Sequence, residues 1–140
     1  MLSAAPKLTK LKRMKEFDEL INIAKKLRAP DGCPWDRSRK IHDLKEDLLE
    51  EAEEVGEALD NKDDENLREE LGDLIFNIVL LTVIAEEEGR FEFKDVLQDV
   101  AKKIISRHTW VFGDDKAATP EEALKIWAEN KAKEKKLKKS

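Results

Sequence analysis

Two pairs of acidic residues, each with its members three positions apart, lie in the middle of the chain. Glu51 and Glu54 belong to one predicted helix, and Glu70 and Asp73 belong to the next. Residues three apart project from the same helix face, about one turn from each other. The polar link at residues 60–64 is short, so we expect the two helices to pack antiparallel and bring four carboxylates together. Such a cluster repels itself unless cations lie within it, and oxygen ligands suit Mg²⁺, Mn²⁺ or Ca²⁺.

Asp73 is the most informative of these acids. It lies with Asn77 in a strongly aliphatic segment, on the helix face that also carries Glu70. A carboxylate surrounded by aliphatic side chains is costly unless it is paired or metal-bound. One pair of glutamates three apart is usually an ordinary solvated face, but two pairs on adjacent helices favour a metal site. The chain has 2 His and no glycine-rich phosphate loop, so no other catalytic arrangement competes with the carboxylates.

Amphipathic helices must position these acids. Apolar residues recur at three- and four-residue spacing, which predicts helices at about residues 9–27, 41–59, 65–88, 93–107 and from 120 onward. Prolines and a glycine predict a loop without regular helix at 28–40, and a polar loop is expected at 108–119. No strand pattern or internal repeat occurs. The sequence predicts an all-α fold, an antiparallel helical bundle of about four to five helices.

Burial and capping expectations follow from the same spacing. The second and fourth predicted helices should bury apolar stripes, which are Leu44, Leu48, Ala52, Val55 and Leu59 in one and Val96, Leu97, Val100 and Ile104 in the other. The third has more aliphatic surface than one small bundle can bury, so we expect oligomerisation through bundle faces. Thr119 should cap the last helix, with Pro120 as its first residue and Glu122 closing a capping box.

Length and composition narrow the class of protein. The 140 residues are expected to form one domain, with a frayed leader at 1–8 and a frayed, solvated Lys-rich tail at 132–140. Charged residues make up 42% of the chain but the net charge is only −5, so a nucleic-acid partner is not favoured. The single cysteine, Cys33, excludes an intramolecular disulfide and fits a reducing compartment. No apolar run reaches the ~18 residues of a membrane span, so we expect a soluble cytoplasmic protein.

Several motifs together resemble one family. They are Gly-Cys-Pro-Trp-Asp at 32–36, Leu-Glu-Glu-Ala-Glu-Glu-Val at 49–55, Arg-Glu-Glu-Leu-Gly-Asp-Leu at 68–74, Arg-His at 107–108 and Val-Phe-Gly-Asp at 111–114. In order and spacing, from about residue 27 to 131, the chain resembles the MazG family. The acidic motifs are shared across the wider superfamily of all-α nucleotide pyrophosphohydrolases, whereas the first and last motifs are more specific to MazG.

The resemblance implies a Mg²⁺-dependent enzyme, with Mn²⁺ as an alternative ion, that hydrolyses nucleoside triphosphates to monophosphate and pyrophosphate. Water would attack the α-phosphorus. The resemblance also implies a homodimer or higher homo-oligomer. It assigns metal binding to Glu51, Glu54, Glu70 and Asp73, and activation of the attacking water to Glu50. It also assigns triphosphate contacts to Lys103 and Arg107, and a nucleotide contact to Trp127.

The sequence also departs from the family pattern. Residues 39–42 read Arg-Lys-Ile-His where the family commonly has a Gln-Thr-His segment. Asn66 stands where a nucleotide-contacting Lys is usual, and Trp110 stands where a His is usual. Better-known members carry two such domains in tandem, whereas this chain has one. Base and sugar preference is therefore left open.

Other features keep two interpretations each. Trp35 has two interpretations: it anchors the core or its loop, or it binds substrate by stacking on the base. His42 and His108 fit structural roles better than metal binding. Narrower relatives share the acidic motifs, namely pyrophosphohydrolases of phosphoribosyl-ATP, dUTP or dCTP. A non-catalytic interaction module that keeps its metal site is the alternative from another functional class.

Overall fold

The protein is all-α over the residues that its computed structural model describes, 13–139. This confirms the predicted fold class. Seven α-helices follow one another within residues 13–139: α1 Lys15–Leu27, α2 Pro34–Ser38, α3 Leu44–Asp60, α4 Asp64–Glu87, α5 Phe93–Arg107, α6 Thr109–Phe112 and α7 Pro120–Lys139. A 3-10 turn at Ile41–Asp43 leads into α3. Within this part of the chain, no helix is both long and apolar enough to cross a membrane.

The described residues divide into two compact units. Residues 13–93 form the first, which we call the hairpin unit, and residues 94–139 form the second, the C-terminal unit. The prediction that the whole chain is one domain remains a prediction. The expected leader at 1–8 and the expected helix start near residue 9 lie outside the described residues.

The hairpin unit is built on α3 and α4, which pack against each other, with α1 against α4. Their connection is tight because Lys62 adopts a left-handed conformation, with φ of 52°. Asp63 then caps α4 by accepting a hydrogen bond from the Asn66 N–H at 3.1 Å. At the other end of α4, Gly89 takes a φ of 68°, a conformation that favours glycine and ends the helix.

The core of the hairpin unit lies at the end where α3 begins and α4 finishes. Its buried members are Ala24, Leu44, Val79, Leu80, Val83 and Ile84. Phe17 and Phe93 meet edge to face beside it, with ring centroids 5.4 Å apart. Full burial of one aliphatic side chain contributes about 1.5–3 kcal/mol, so this small cluster dominates the hydrophobic stabilisation of the unit.

The predicted apolar stripe of α3 is only partly buried. Leu44 is fully buried, whereas Ala52 is exposed and Leu59 keeps 58% of its surface exposed. The expectation of a continuous core along this helix was therefore wrong. Burial along α3 is instead concentrated at Leu44 and at Ala58, which keeps only 1% of its surface exposed.

The segment at 28–40 contains a helix that the sequence analysis did not predict. Pro34 begins α2, since proline suits the first turn, where its missing N–H is not needed. Gly32 packs directly on the end of α1, and an added Cβ would lie 2.3 Å from the Lys26 carbonyl oxygen. Arg28 ties the segment to α4 by donating to the Glu87 carboxylate at 2.8 Å and to the Arg39 carbonyl at 3.0 Å.

In the C-terminal unit, α5 spans the predicted residues, but α6 interrupts the predicted loop. The apolar stripe expected to be buried on α5 is largely exposed: Leu97 at 48%, Val100 at 45% and Ile104 at 47%. That expectation was wrong, because α5 has no fully buried residue among those described.

The start of α7 is close to the predicted capping arrangement. The Glu122 N–H donates to the Thr119 hydroxyl at 3.2 Å, as expected of a cap. The Glu122 carboxylate accepts from the Ala118 N–H at 2.7 Å, one residue before the position that a standard capping box uses. Residues 132–139 continue the helix where a frayed tail was expected, because lysine and glutamate are good helix formers.

Candidate active site

Three of the four predicted metal-binding carboxylates meet between α3 and α4. One oxygen each from Glu51, Glu70 and Asp73 lies within 4.8 Å of the others. Glu51 comes from α3, and the other two lie one turn apart on α4. The antiparallel hairpin therefore brings together acids that are about 20 residues apart in sequence, as predicted from spacing and the short connection.

Two of these carboxylates contain an unsatisfied atom. The Oε2 atoms of Glu51 and Glu70 are buried and have no hydrogen-bond partner. A buried acceptor without a partner costs about 1–3 kcal/mol, and more when it is charged. Native structures keep few such groups, so these two oxygens are candidates to accept a hydrogen bond or to bind a cation.

The electrostatics of the cluster agree with this geometry. Burial, followed by the nearby Glu54 carboxyl group, raises the pKa of Glu51 above its ordinary value. A hydrogen bond with Glu54, followed by burial, raises the pKa of Glu70 to about 7. Glu54 therefore contacts the cluster, although it is not one of the three residues whose oxygens converge within 4.8 Å. Carboxylates with such pKa values favour protons or cations at neutral pH.

Asp73 differs from its predicted environment. It was predicted to be embedded in aliphatic surface, but its side chain is exposed. The adjacent aliphatic residues Leu71 and Ile75 are themselves 41% and 43% exposed, so they do not enclose it. Asp73 is therefore a solvent-accessible ligand candidate at the edge of the cluster, and Glu51 and Glu70 supply the buried oxygens.

A cavity of about 270 Å³ opens beside the cluster. It is lined by Asp47, Glu50, Glu51, Asp73, Phe76 and Asn77. Glu50, the predicted water-activating residue, thus lies on the same cavity as two of the clustered acids. Asp47 was not among the predicted site residues, although its spacing of four from Glu51 would have placed it on that helix face.

A hard divalent cation fits this donor set. Converging carboxylate oxygens are the ligands that Mg²⁺, Mn²⁺ and Ca²⁺ prefer. The two unpartnered buried oxygens would gain a partner, and the repulsion between the carboxylates would be relieved. The acidic cluster is therefore able to hold a metal ion.

Trp35 is not a core residue, since 67% of its surface is exposed. The Arg39 guanidinium lies over its ring, 5.4 Å from the centroid. Both residues line a cavity of about 540 Å³ together with Ser38, His42, Asp43, Lys45 and Glu46. Arg39 also donates to Asp47 at 2.5 Å, so this pair connects the tryptophan cavity with the acidic cavity.

The predicted triphosphate and nucleotide contacts lie in the other unit. Arg107 donates to the Glu134 carboxylate at 3.0 Å, and its guanidinium lies 5.3 Å from the centre of the Trp127 ring. Lys103 lines a cavity of about 600 Å³ with other α5 and α7 residues, including Lys102, Ser106, Glu134 and Lys138. The predicted basic contacts therefore lie at α5 and α7, where the acids Asp99 and Glu134 accompany them.

Both histidines have structural surroundings. The His108 Nδ1 atom lies 2.6 Å from the Ile104 carbonyl oxygen, and its ring lies 4.9 Å from that of Trp110. His42 lines the tryptophan cavity and is absent from the group of residues able to hold a metal. Trp110, one of the departures from the family pattern, shares a cavity of about 260 Å³ with Trp127 and Leu124.

Comparison with known proteins decides the family. The sequence profile of the MazG nucleotide pyrophosphohydrolase domain matches residues 39–112, more than half of the chain. The chain belongs to the MazG family. This confirms the resemblance derived from the motifs, and the matched region includes all four predicted metal-binding acids.

Relatives within the MazG family cover most of this chain. The nucleoside triphosphate pyrophosphohydrolase/pyrophosphatase MazG of Thermotoga maritima is 44% identical over 124 residues, which are 89% of this chain and 47% of that protein. The nucleoside triphosphate pyrophosphohydrolase of Escherichia coli K12 is 39% identical over 122 residues, 86% of this chain and 46% of that protein. This chain therefore spans about half the length of these relatives.

A solved structure shares the fold over nearly its whole length. The crystal structure of a mazG-related protein from Thermotoga maritima superposes with a TM-score of 0.70 at 36% identity. The superposition covers 85% of this chain and 99% of that one. The all-α architecture derived from the sequence is thus a MazG-family architecture.

Proposed function

We propose that this chain hydrolyses nucleoside triphosphates to nucleoside monophosphate and pyrophosphate, with Mg²⁺ as the physiological ion. One observation carries the proposal: the buried, unpartnered oxygens of Glu51 and Glu70 lie beside Asp73 in a set of ligands suited to a hard cation. The relatives from Thermotoga maritima and Escherichia coli are named for the same reaction.

In this proposal, Glu51, Glu54, Glu70 and Asp73 hold the metal, and Mn²⁺ is able to replace Mg²⁺ on the same ligands. Bound Mg²⁺ would supply charge neutralisation, polarisation of phosphate oxygens and a lower pKa for a water molecule. Glu54 is included because its carboxyl group interacts with both Glu51 and Glu70.

The residues of the chain divide the chemistry. Glu50 is exposed on the acidic cavity and would accept a proton from the attacking water. The water oxygen forms a bond to the α-phosphorus, and the bond from that phosphorus to the bridging oxygen of the leaving pyrophosphate breaks. Lys103 and Arg107 would bind the phosphate oxygens, and their charge would stabilise the negative charge that builds up on the leaving group.

Two tryptophans are proposed to bind the nucleoside. Trp35 is exposed, and its cavity joins the acidic cavity through the Arg39–Asp47 ion pair, which supports stacking of the base or sugar on its ring. Trp127 lines a separate, mainly apolar cavity with Trp110 and is proposed as the second nucleoside contact.

Phosphorus NMR tests the reaction. Purified protein is incubated with Mg²⁺ and a panel of ribo- and deoxyribonucleoside triphosphates, and the expected products are pyrophosphate and monophosphates. A Glu51→Gln variant should lose at least about a hundredfold in turnover, since it removes a ligand with a buried oxygen. Its matched control is Glu53→Gln, on the exposed face of the same helix, which should keep wild-type turnover.

Each alternative gives a distinct result in this assay. Nucleoside diphosphate plus inorganic phosphate would mean attack at the γ-phosphorus and would contradict the proposal. Turnover of one nucleotide alone would identify a narrower pyrophosphohydrolase. Binding of Mg²⁺ without turnover of any nucleotide would favour the non-catalytic module.

We also propose that the chain forms a homodimer. Leu71, Ile75 and Ile78 lie along one face of α4, each more than 40% exposed, next to the acids on the same helix. Contiguous exposed apolar side chains of this kind are typical of an interface between subunits.

A further inference from the structure

One face of α7 surrounds the end of α5 at Arg107. Trp127, Asn130 and Glu134 are three and four residues apart in succession, so they project from the same side of α7. All three contact Arg107 or its backbone. Asn130, with only 9% of its surface exposed, donates to the Arg107 carbonyl at 3.2 Å and to the Thr109 hydroxyl at 2.9 Å.

The Arg107 side chain is held by two of these residues. Its Nε–H donates to the Glu134 carboxylate at 3.0 Å, and its guanidinium carbon lies 5.3 Å from the centre of the Trp127 ring. Lys131, on the same face of α7, also lies over this ring at 5.1 Å. The Arg107 side chain is 16% exposed, so most of it is fixed by α7 and a small part remains accessible.

Glu134 itself is fixed by more than one donor. Its carboxylate accepts a hydrogen bond from the Ser106 hydroxyl as well as the one from Arg107. The Ser106 hydrogen bond, and then Arg107, lower the pKa of Glu134, so this carboxylate is ionised at neutral pH. Because the Glu134 carboxylate is held by the Ser106 hydroxyl as well, it can fix the orientation of the Arg107 guanidinium.

The contact with Glu134 uses only one edge of the guanidinium. Among the residues that the structure describes, the Arg107 guanidinium hydrogen-bonds through Nε, and its two terminal nitrogens donate to no acceptor. Those two nitrogens form the fork that binds phosphate oxygens in a bidentate way. Glu134 therefore binds the Nε side of the guanidinium and leaves the two terminal nitrogens available to a phosphate.

We propose that Glu134 is a positioning residue for Arg107, holding its free guanidinium edge in the orientation that binds the triphosphate. This inference rests on the proposed function, in which Arg107 contacts the substrate phosphates. The opposite role would be an intramolecular competitor that occupies Arg107 until substrate displaces it. Removing the Glu134 carboxylate should weaken triphosphate binding if it positions Arg107, and strengthen triphosphate binding if it competes for Arg107.

The test measures the affinity for Mg²⁺–tripolyphosphate by isothermal titration calorimetry. Glu134→Ala should weaken binding about tenfold, because it releases a charge-assisted hydrogen bond that orients the guanidinium. Glu134→Gln, whose amide oxygen can still accept from Nε, should weaken binding only about threefold. With nucleoside triphosphate, kcat/KM should fall by at least the same factors, because a misoriented Arg107 also loses contact with the charge that builds up on the leaving group.

Two further variants separate positioning from a general structural effect. In an Arg107→Lys background, adding Glu134→Gln should change binding no further, because lysine has no Nε–H edge to orient. Glu129→Gln, an exposed glutamate of the same helix, is the matched control and should bind like wild type.

The remaining outcomes decide against one proposal or the other. Tighter binding by Glu134→Gln, an equal loss in the Arg107→Lys background, or no tripolyphosphate binding by wild type would each overturn the positioning role. If wild type binds tripolyphosphate with the predicted pattern of losses but hydrolyses no nucleotide, the positioning role stands and the proposed function fails.

Discussion

The acids of the hairpin unit and the cations of the C-terminal unit are organised in opposite ways. Glu51 and Glu70 meet other carboxylates, and each keeps a buried oxygen without a partner. Arg107 instead meets an opposite charge in Glu134 and an aromatic ring in Trp127. The first arrangement places like charges together, whereas the second pairs a cation with an anion and an aromatic ring of the same chain.

This difference separates two kinds of functional group. Like charges held together by secondary structure raise the free energy of the metal-free protein, and a bound cation recovers that cost as binding energy. A compensated cation costs little in the free protein and contributes by being correctly oriented when the ligand arrives. Three predictions test this contrast.

The largest expected effect concerns assembly of the hairpin unit. Ile75→Glu places a charge in the exposed apolar stripe of α4 and should convert the dimer to monomer, because the interface would bury an unpaired carboxylate. Light scattering after size-exclusion chromatography measures the mass, with Glu69→Gln on the exposed surface as control. A monomeric wild type, or a variant with unchanged mass, would contradict the proposed interface.

The second prediction is that a glutamate-to-glutamine substitution changes Tm in opposite directions at positions 70 and 134. In metal-free protein at pH 8, Glu70→Gln should raise Tm by about 2–5 °C, because it removes repulsion within the cluster. Glu134→Gln should lower Tm by roughly 1–3 °C, because it breaks a half-buried ion pair. Mg²⁺ should raise the Tm of wild type and of Glu134→Gln, but much less that of Glu70→Gln.

The pH dependence gives a check on the same prediction. Because the pKa of Glu70 is raised from 4.5 to about 7, the native state binds more protons than the unfolded state between those values. The stability that this group contributes is therefore present below pH 4.5 and lost as pH rises through 7. The pKa of Glu51 is raised as well, so calorimetry of metal-free protein should show a steeper decline of stability with rising pH for wild type than for Glu70→Gln. Equal slopes for the two proteins would refute the assignment.

The smallest expected effect is that of Trp35→Ala. The residue is 67% exposed, so Tm should change by less than about 2 °C, while KM for nucleoside triphosphate rises about three- to tenfold through lost stacking. Steady-state kinetics and calorimetry measure both quantities, with Trp35→Phe expected to retain most of the affinity. A large loss of stability with unchanged KM would return Trp35 to the role of a loop anchor.

Much of the fold was predictable because helix spacing is a local property. Apolar periodicity located α3, α4 and α5 to within a few residues, and Thr119 and Pro120 marked the start of α7. The short helices α2 and α6 were missed, since single turns inside proline- and glycine-containing segments carry no periodic signal. The extent of burial on α3 and α5 was also mispredicted, because their exposed apolar stripes look in sequence like stripes that a single chain buries.

The sequence by itself determined which acids share a helix face, because a spacing of three residues fixes relative direction within any helix, and a short polar link between two helices brings those faces together. Only the tertiary structure decided which carboxylate oxygens are buried without partners, that Asp73 is exposed, and that Glu134 holds Arg107. Those properties depend on the packing of residues far apart in the chain, where a change of one ångström separates a hydrogen bond from none.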